Sequence, residues 1–136
     1  MYVIKSYQGF NDVKIGWTSL EIEEYMKIKP SKFKKNNNDL VETDAYDDFF
    51  VYYDDDGKSE AIEFNSNADL KFETITFFDR NYSDVEADFK KIDSNIEIDE
   101  VGFISNKFGI GVYITNKDEE DSKIESVIIY KRGYYD

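Results

Sequence analysis

Two stretches of this chain follow one pattern. In the first, Phe49-Phe50-Val51-Tyr52-Tyr53 meets Asp54-Asp55-Asp56-Gly57-Lys58 and returns as Ile62-Glu63-Phe64. In the second, Ile110-Gly111-Val112-Tyr113-Ile114 passes through an acidic loop and returns as Val127-Ile128-Ile129-Tyr130. β-branched and aromatic residues on either side of a polar turn specify a hairpin. A helix-start signal stands upstream of each, Thr18-Ser19-Leu20-Glu21 and Ser83-Asp84-Val85-Glu86, 65 positions apart. Units of this size are marginal alone, so two of them should share one core. The expected fold is α+β: a single domain over 1–136 in which a helix plus an antiparallel β-sheet unit occurs twice, at about 10–70 and 75–135.

Local signals fill in the outline. Residues 2–7 read as a first strand. The Thr18 hydroxyl and Glu21 carboxylate form a capping box, and Trp17 and Ile22 stand where a hydrophobic staple closes a helix entry. That helix is expected to run to about Lys29, because Pro30 disfavours helix in the residue before it. Lys32-Phe33-Lys34-Lys35-Asn36-Asn37-Asn38 reads as a polar loop. Strands are expected near 40–46, 48–54, 60–65 and 70–78. Ser83 should cap a second helix over 84–92, with Val85, Phe89 and Ile92 on its buried face. The last strands are expected near 100–105, 109–115 and 124–130.

The doubling assigns strand faces, since successive side chains point to opposite sides. Aligning Val51 with Val112 and Ile62 with Val127 makes one set apolar in both copies: Phe49, Val51, Tyr53, Ile62 and Phe64 with Ile110, Val112, Ile114, Val127 and Ile129. These should face the helices. The opposite face then mixes aromatics with acids. Phe50, Tyr52, Tyr113 and Tyr130 are expected as partly exposed anchors, rimmed by Asp48, Asp54 and Glu63. Aromatic rings bury a large area while freezing few rotors, so such a face suits a partner protein. An element packed over it would make it a second core instead.

The catalytic inventory is thin. Histidine and cysteine are both missing, which removes the commonest general base, the commonest metal ligand and all thiol chemistry. With 30 acidic residues, no single carboxylate pair points to acid–base catalysis. Asp54-Asp55-Asp56-Gly57 lacks the spacing of a calcium loop and reads as a hairpin turn. Gly109-Ile110-Gly111 has neither the third glycine nor the following helix of a nucleotide loop. Asn81-Tyr82-Ser83 matches a glycosylation acceptor, yet Ser83 fits better as a helix cap. Asp118-Glu119-Glu120-Asp121 reads as a solvated loop. The expectation is a protein without cofactor, metal or enzymatic activity.

Charge says more about partners than about fold. A net charge of −13 repels nucleic acid and anionic membranes and attracts basic proteins. Apolar residues at 40% and aromatics at 17% argue for a folded chain rather than an acidic tail. No apolar run approaches the ~20 residues of a membrane span, and the start of the chain is too polar for a signal peptide. These features and the missing cysteines fit a cytoplasmic protein.

Two passages carry a family resemblance. Glu100-Val101-Gly102-Phe103-Ile104-Ser105-Asn106-Lys107-Phe108-Gly109-Ile110-Gly111-Val112-Tyr113 resembles a strand-turn-strand passage of the small acidic immunity proteins of bacterial polymorphic-toxin and contact-dependent growth inhibition systems. The ending Ile124-Glu125-Ser126-Val127-Ile128-Ile129-Tyr130-Lys131-Arg132-Gly133-Tyr134-Tyr135-Asp136 resembles a common close of such chains. The doubled helix-and-sheet plan is also similar to beta-lactamase-inhibitor-like folds, which bind through a sheet face. The resemblance implies an inhibitor that neutralises a cognate protein toxin, a basic nuclease. It carries over no contact residues. The alternative is an acidic nucleic-acid mimic that inhibits a DNA-binding enzyme. A mimic should space carboxylates like phosphates, whereas here aromatics alternate with acids. A non-inhibitory adaptor stays open.

Overall fold

The computed structural model describes residues 1–115 and 122–135, so the expected acidic loop 118–121 lies outside the described residues. The chain begins with three short strands, β1 (Tyr2–Lys5), β2 (Gly9–Phe10) and β3 (Val13–Lys14). Helix α1 (Ser19–Met26) follows, then β4 (Ser31–Phe33), β5 (Thr43–Ala45), β6 (Phe49–Tyr53) and β7 (Ser59–Asn65). A second short hairpin, β8 (Leu70–Phe72) and β9 (Ile75–Thr76), leads to helix α2 (Tyr82–Ile92). The chain closes with β10 (Glu97–Asp99), β11 (Gly102–Ser105), β12 (Ile110–Tyr113) and β13 (Ser126–Tyr130). The result is one small α+β domain, mainly β. No helix among the described residues is long and apolar enough to cross a membrane.

Eight strands form one antiparallel sheet in the order β4-β5-β6-β7-β13-β12-β11-β10. Each helix is therefore followed by four strands that run in chain order from an edge to the centre, where β7 and β13 pair. Val51 and Ile62 are direct cross-strand partners, and so are Val112 and Val127. The other five strands form a smaller sheet, β3-β2-β1-β8-β9, in which only β1 and β8 run parallel.

The inner face of the large sheet is the core. None of its ten expected apolar residues is more than 9% exposed. Phe10 of the small sheet meets Phe49 and Phe64 at ring-centroid distances of 5.1 and 5.3 Å. Phe89 of α2 lies 5.0 Å from Phe103, and Ile22 of α1 is fully buried. Burying each such side chain contributes about 1.5–3 kcal/mol, so the helices and the small sheet are held by this layer rather than by intrinsic helix propensity.

Several boundaries differ from the sequence reading. The Thr18–Glu21 capping box forms, but α1 stops at Met26 because Lys27 turns left-handed (φ 59°), before Pro30 exerts any effect. Helix α2 starts earlier than expected: Asn81 takes the N-cap position, while Ser83 is exposed in the first turn. The Asn81 side chain makes no capping hydrogen bond; what the earlier start gains is burial of Tyr82, 4% exposed. The expected strand over 70–78 breaks at Glu73 (φ 55°) into β8 and β9. Lys32 and Phe33 of the expected polar loop belong to edge strand β4, paired with β5.

An acid inside the core ties these elements together. Asp44 of β5 is fully buried. Its carboxylate accepts from the Ser19 hydroxyl of α1 at 2.5 Å, the Tyr53 hydroxyl of β6 at 2.6 Å and the Lys32 ammonium of β4 at 2.6 Å. A buried carboxylate persists only when its lone pairs are filled and its charge is met, and three donors do both here.

Candidate partner-binding face

The outer face of the large sheet carries the rows that the core leaves over. One row runs Ala45–Phe50–Glu63–Ile128–Gly111–Ile104 through direct cross-strand partners. On one side of it lies Tyr52–Ala61–Tyr130, and on the other Asn65–Ser126–Tyr113. Neither helix lies over this face. One end of it is nevertheless covered.

The cover comes from both ends of the chain. After β13 the backbone turns over through Lys131 and Tyr134, with Lys131 N–H donating to Glu60 O at 2.9 Å. This turn lays Tyr134 and Tyr135 against Tyr130, at 5.8 and 4.9 Å between centroids. From the β1–β2 turn, Tyr7 meets Tyr130 edge-on at 6.0 Å and donates its hydroxyl to Asn106 O. Two glycines seat these rings. A Cβ at Gly109 would lie 2.6 Å from the Tyr7 ring, and one at Gly111 would come within 3.3 Å of the Tyr113 hydroxyl. Tyr113 reaches over Gly111 to Tyr135, the two hydroxyls 3.1 Å apart. Ala61, Ile128 and Tyr130 thereby form a second, smaller apolar cluster.

The seven residues singled out from sequence separate into three groups. Phe50, Tyr52, Glu63 and Tyr113 lie half-buried on this face. Tyr130 also belongs to the face, but it is 3% exposed beneath the two terminal tyrosines, not the partly exposed anchor expected. Asp48 and Asp54 are tied up elsewhere. Asp48 accepts the Tyr2 hydroxyl at 2.7 Å, and Tyr2 packs edge-on to Phe10 of the core. Burial first, then this carboxylate, push the Tyr2 phenol up to about 12. Asp54 accepts the N–H groups of Asp56 and Lys58 at 2.9 and 3.0 Å, closing the hairpin turn. The Lys58 backbone bond is the main reason its carboxyl is held below the usual range.

Other side chains join the face without having been anticipated. Phe33 of β4 meets Phe50 edge-on at 5.4 Å and remains 38% exposed. Ile104 packs half-buried beside Ile128, and Tyr135 is 48% exposed. The only signals for these in the chain are Phe33 within a basic stretch and the closing Tyr134-Tyr135 pair; neither says which face it covers.

Electrostatics sharpen the face. Tyr52 donates to Glu63 at 2.5 Å, and burial followed by this bond pushes its phenol well above its ordinary value. Lys35 stands 4.5 Å over the Tyr52 ring, and Arg132 stands 4.1 Å over Tyr7. Each is a cation held on an aromatic face, an arrangement worth about 0.5–1 kcal/mol where water reaches it. The ensemble offers rings and oriented carboxylates to a partner. Among the described residues no group of three acidic side chains is placed to hold a metal ion. No family model matches the chain, and neither curated proteins nor solved structures give a match.

Proposed function

We propose that this chain is an immunity protein that binds and neutralises a cognate toxin domain, a basic nuclease, and that it does so in the cytoplasm without enzymatic activity of its own. The observation that carries the reading is the open end of the outer face. There Phe33, Phe50 and Tyr52 are half-buried or exposed near Glu63, with half-buried Tyr113 bridging to the closed end, on a chain of net charge −13. A nuclease is basic because it must hold phosphates. The charge steers the two together, and aromatic anchors then slow dissociation. We also infer that the two halves are copies of one unit, as in beta-lactamase-inhibitor-like folds. Their matching order, a helix and then four strands leading to the sheet centre, supports this. The rival reading, an acidic nucleic-acid mimic, calls for carboxylates spaced like phosphates, and apolar rings occupy much of this face instead.

The test is co-expression with the product of the reading frame immediately upstream. A complex that co-purifies, and that protects cells from that product, supports the reading. Raising salt several-fold should lower the association rate markedly and leave dissociation nearly unchanged, because screening acts on encounter. No complex, or an association rate indifferent to salt, refutes it.

A further inference from the structure

Beside Phe50 the outer face holds a notch of about 220 Å³, lined by Phe50, Glu63, Phe64, Asn65, Glu125 and Ser126. Both of its carboxylates are already oriented. The Tyr52 hydroxyl holds one Glu63 oxygen at 2.5 Å, and the Thr115 hydroxyl holds one Glu125 oxygen at 2.6 Å. Neither bond neutralises its acid, and among the described residues neither second oxygen has a partner. Phe33 props the Phe50 ring from the side at 5.4 Å.

The same face shows what such a combination takes. Tyr52, whose hydroxyl is bonded to an acid, carries Lys35 at 4.5 Å, and Tyr7 carries Arg132 at 4.1 Å. Those two rings are covered by cations of the chain itself. The Phe50 notch joins a ring to two acids, and no cation among the described residues occupies it. With 17 basic residues against 30 acidic ones, the chain has few cations to place there.

We propose that this notch is the seat for one arginine side chain presented by an extended basic segment of the partner protein. The assignment deepens the toxin-binding reading and rests on it for the identity of the partner. A guanidinium is planar, so it stacks on the Phe50 ring while its fork of N–H donors reaches both carboxylates. It is weakly hydrated, so entering a half-apolar notch costs it less than it would cost an ammonium. The two hydroxyls hold the acids in place beforehand, which lowers the ordering cost of binding.

The experiment titrates ¹⁵N-labelled protein with the tripeptide acetyl-Gly-Arg-Gly-amide at low salt. The citrulline tripeptide, neutral and of nearly the same shape, is the control. Expected are saturable amide shifts confined to Phe50, Glu63, Asn65, Glu125 and Ser126, in the millimolar range, with none from the citrulline peptide. Glu63→Gln with Glu125→Gln should weaken the arginine peptide at least tenfold while the melting temperature stays close to the parent value, since both side chains reach solvent. Shifts spread evenly over the acidic surface, or equal shifts from the citrulline peptide, would overturn the assignment. The titration needs no toxin, so its failure leaves the toxin-binding reading standing. Failure of co-purification with the upstream product leaves the titration result as it is.

Discussion

Replacing Tyr130 with alanine tests whether the closed end of the outer face is structural. Alternation places Tyr130 on that face, but the terminal turn and Tyr7 bury it to 3% exposure. Truncating a buried aromatic to alanine costs about 3–5 kcal/mol. The hydroxyl adds little, because its contact with Ser105 O is long at 3.4 Å. An unfolding entropy of about 2.1 cal/mol/K per residue gives roughly 0.29 kcal/mol/K for a chain of this length. The melting temperature should then fall by roughly 10–17 °C. Tyr130→Phe, which keeps the ring, should stay within about 3 °C. Tyr52→Ala is the comparison at the open end. It should lose partner affinity by about 2 kcal/mol, the scale of an aromatic hot spot, with a much smaller change in melting temperature. Thermal melts beside a binding titration read both quantities. A Tyr130→Ala protein that melts within about 3 °C of the parent would refute the burial argument and return Tyr130 to the open face.

Three further outcomes follow from single contacts. Asp44→Ala leaves the buried Tyr53 hydroxyl without its acceptor while Lys32 can reach water, and should cost about 3 kcal/mol in a denaturant titration; an unchanged midpoint would contradict the buried network. Gly109→Ala places a Cβ 2.6 Å from the Tyr7 ring at a φ of +68°, so it should destabilise by about 2 kcal/mol. Adding Tyr7→Ala should relieve part of that, and strict additivity of the two would disprove the contact. Eight of the eleven tyrosines have raised phenol pKa values, first through burial, with Tyr2 and Tyr46 at about 12. A folded value above the unfolded one means the stabilisation is complete below the unfolded phenol value of about 10 and lost as pH rises through the folded values. Tyrosinate absorbance from these eight should therefore rise together with loss of far-UV circular dichroism above pH ~11, and their smooth titration near pH 10 with the fold intact would refute this.

The inner face could be read from sequence because two stretches of similar apolar pattern constrain each other. A side chain apolar at the same step of both hairpins has to face the shared core; the register, Val51 opposite Ile62 and Val112 opposite Val127, comes from the structure alone. The outer face was legible only in part. Alternation says which side Tyr130 takes, but not that Tyr7, far away in the chain, arrives to cover it. Asp48 and Asp54 have the right parity for the rim, yet a hydroxyl and two backbone N–H groups claim them first. Asp44 is one acid among 30, and nothing in the chain marks it as the one inside. Strands β4 and β10 are three residues each with every residue exposed, too short and polar to show a period.

The division of the outer face into a closed and an open end also explains where the chain places its few cations. Arg132 stands over Tyr7 at the closed end, Lys35 over Tyr52 where the open end begins, and Lys32 is held by Asp44 on the other side of the sheet. Each contacts a different element: the terminal turn, the 34–42 loop and edge strand β4. Opposite them, around Phe50, the face keeps rings and carboxylates without a basic residue among those lining the notch. A surface meant only to stay soluble has no need of this separation, because interspersed charges of both signs serve solubility as well. A surface meant to receive a basic partner does need it, since a resident cation beside Phe50 would have to be displaced before the partner could dock. Introducing one should therefore weaken binding without touching the fold. Ser126→Lys, a half-exposed position at the notch, should lower partner affinity at least tenfold and leave the melt unchanged. An affinity unaffected by that lysine would show that the partner docks elsewhere.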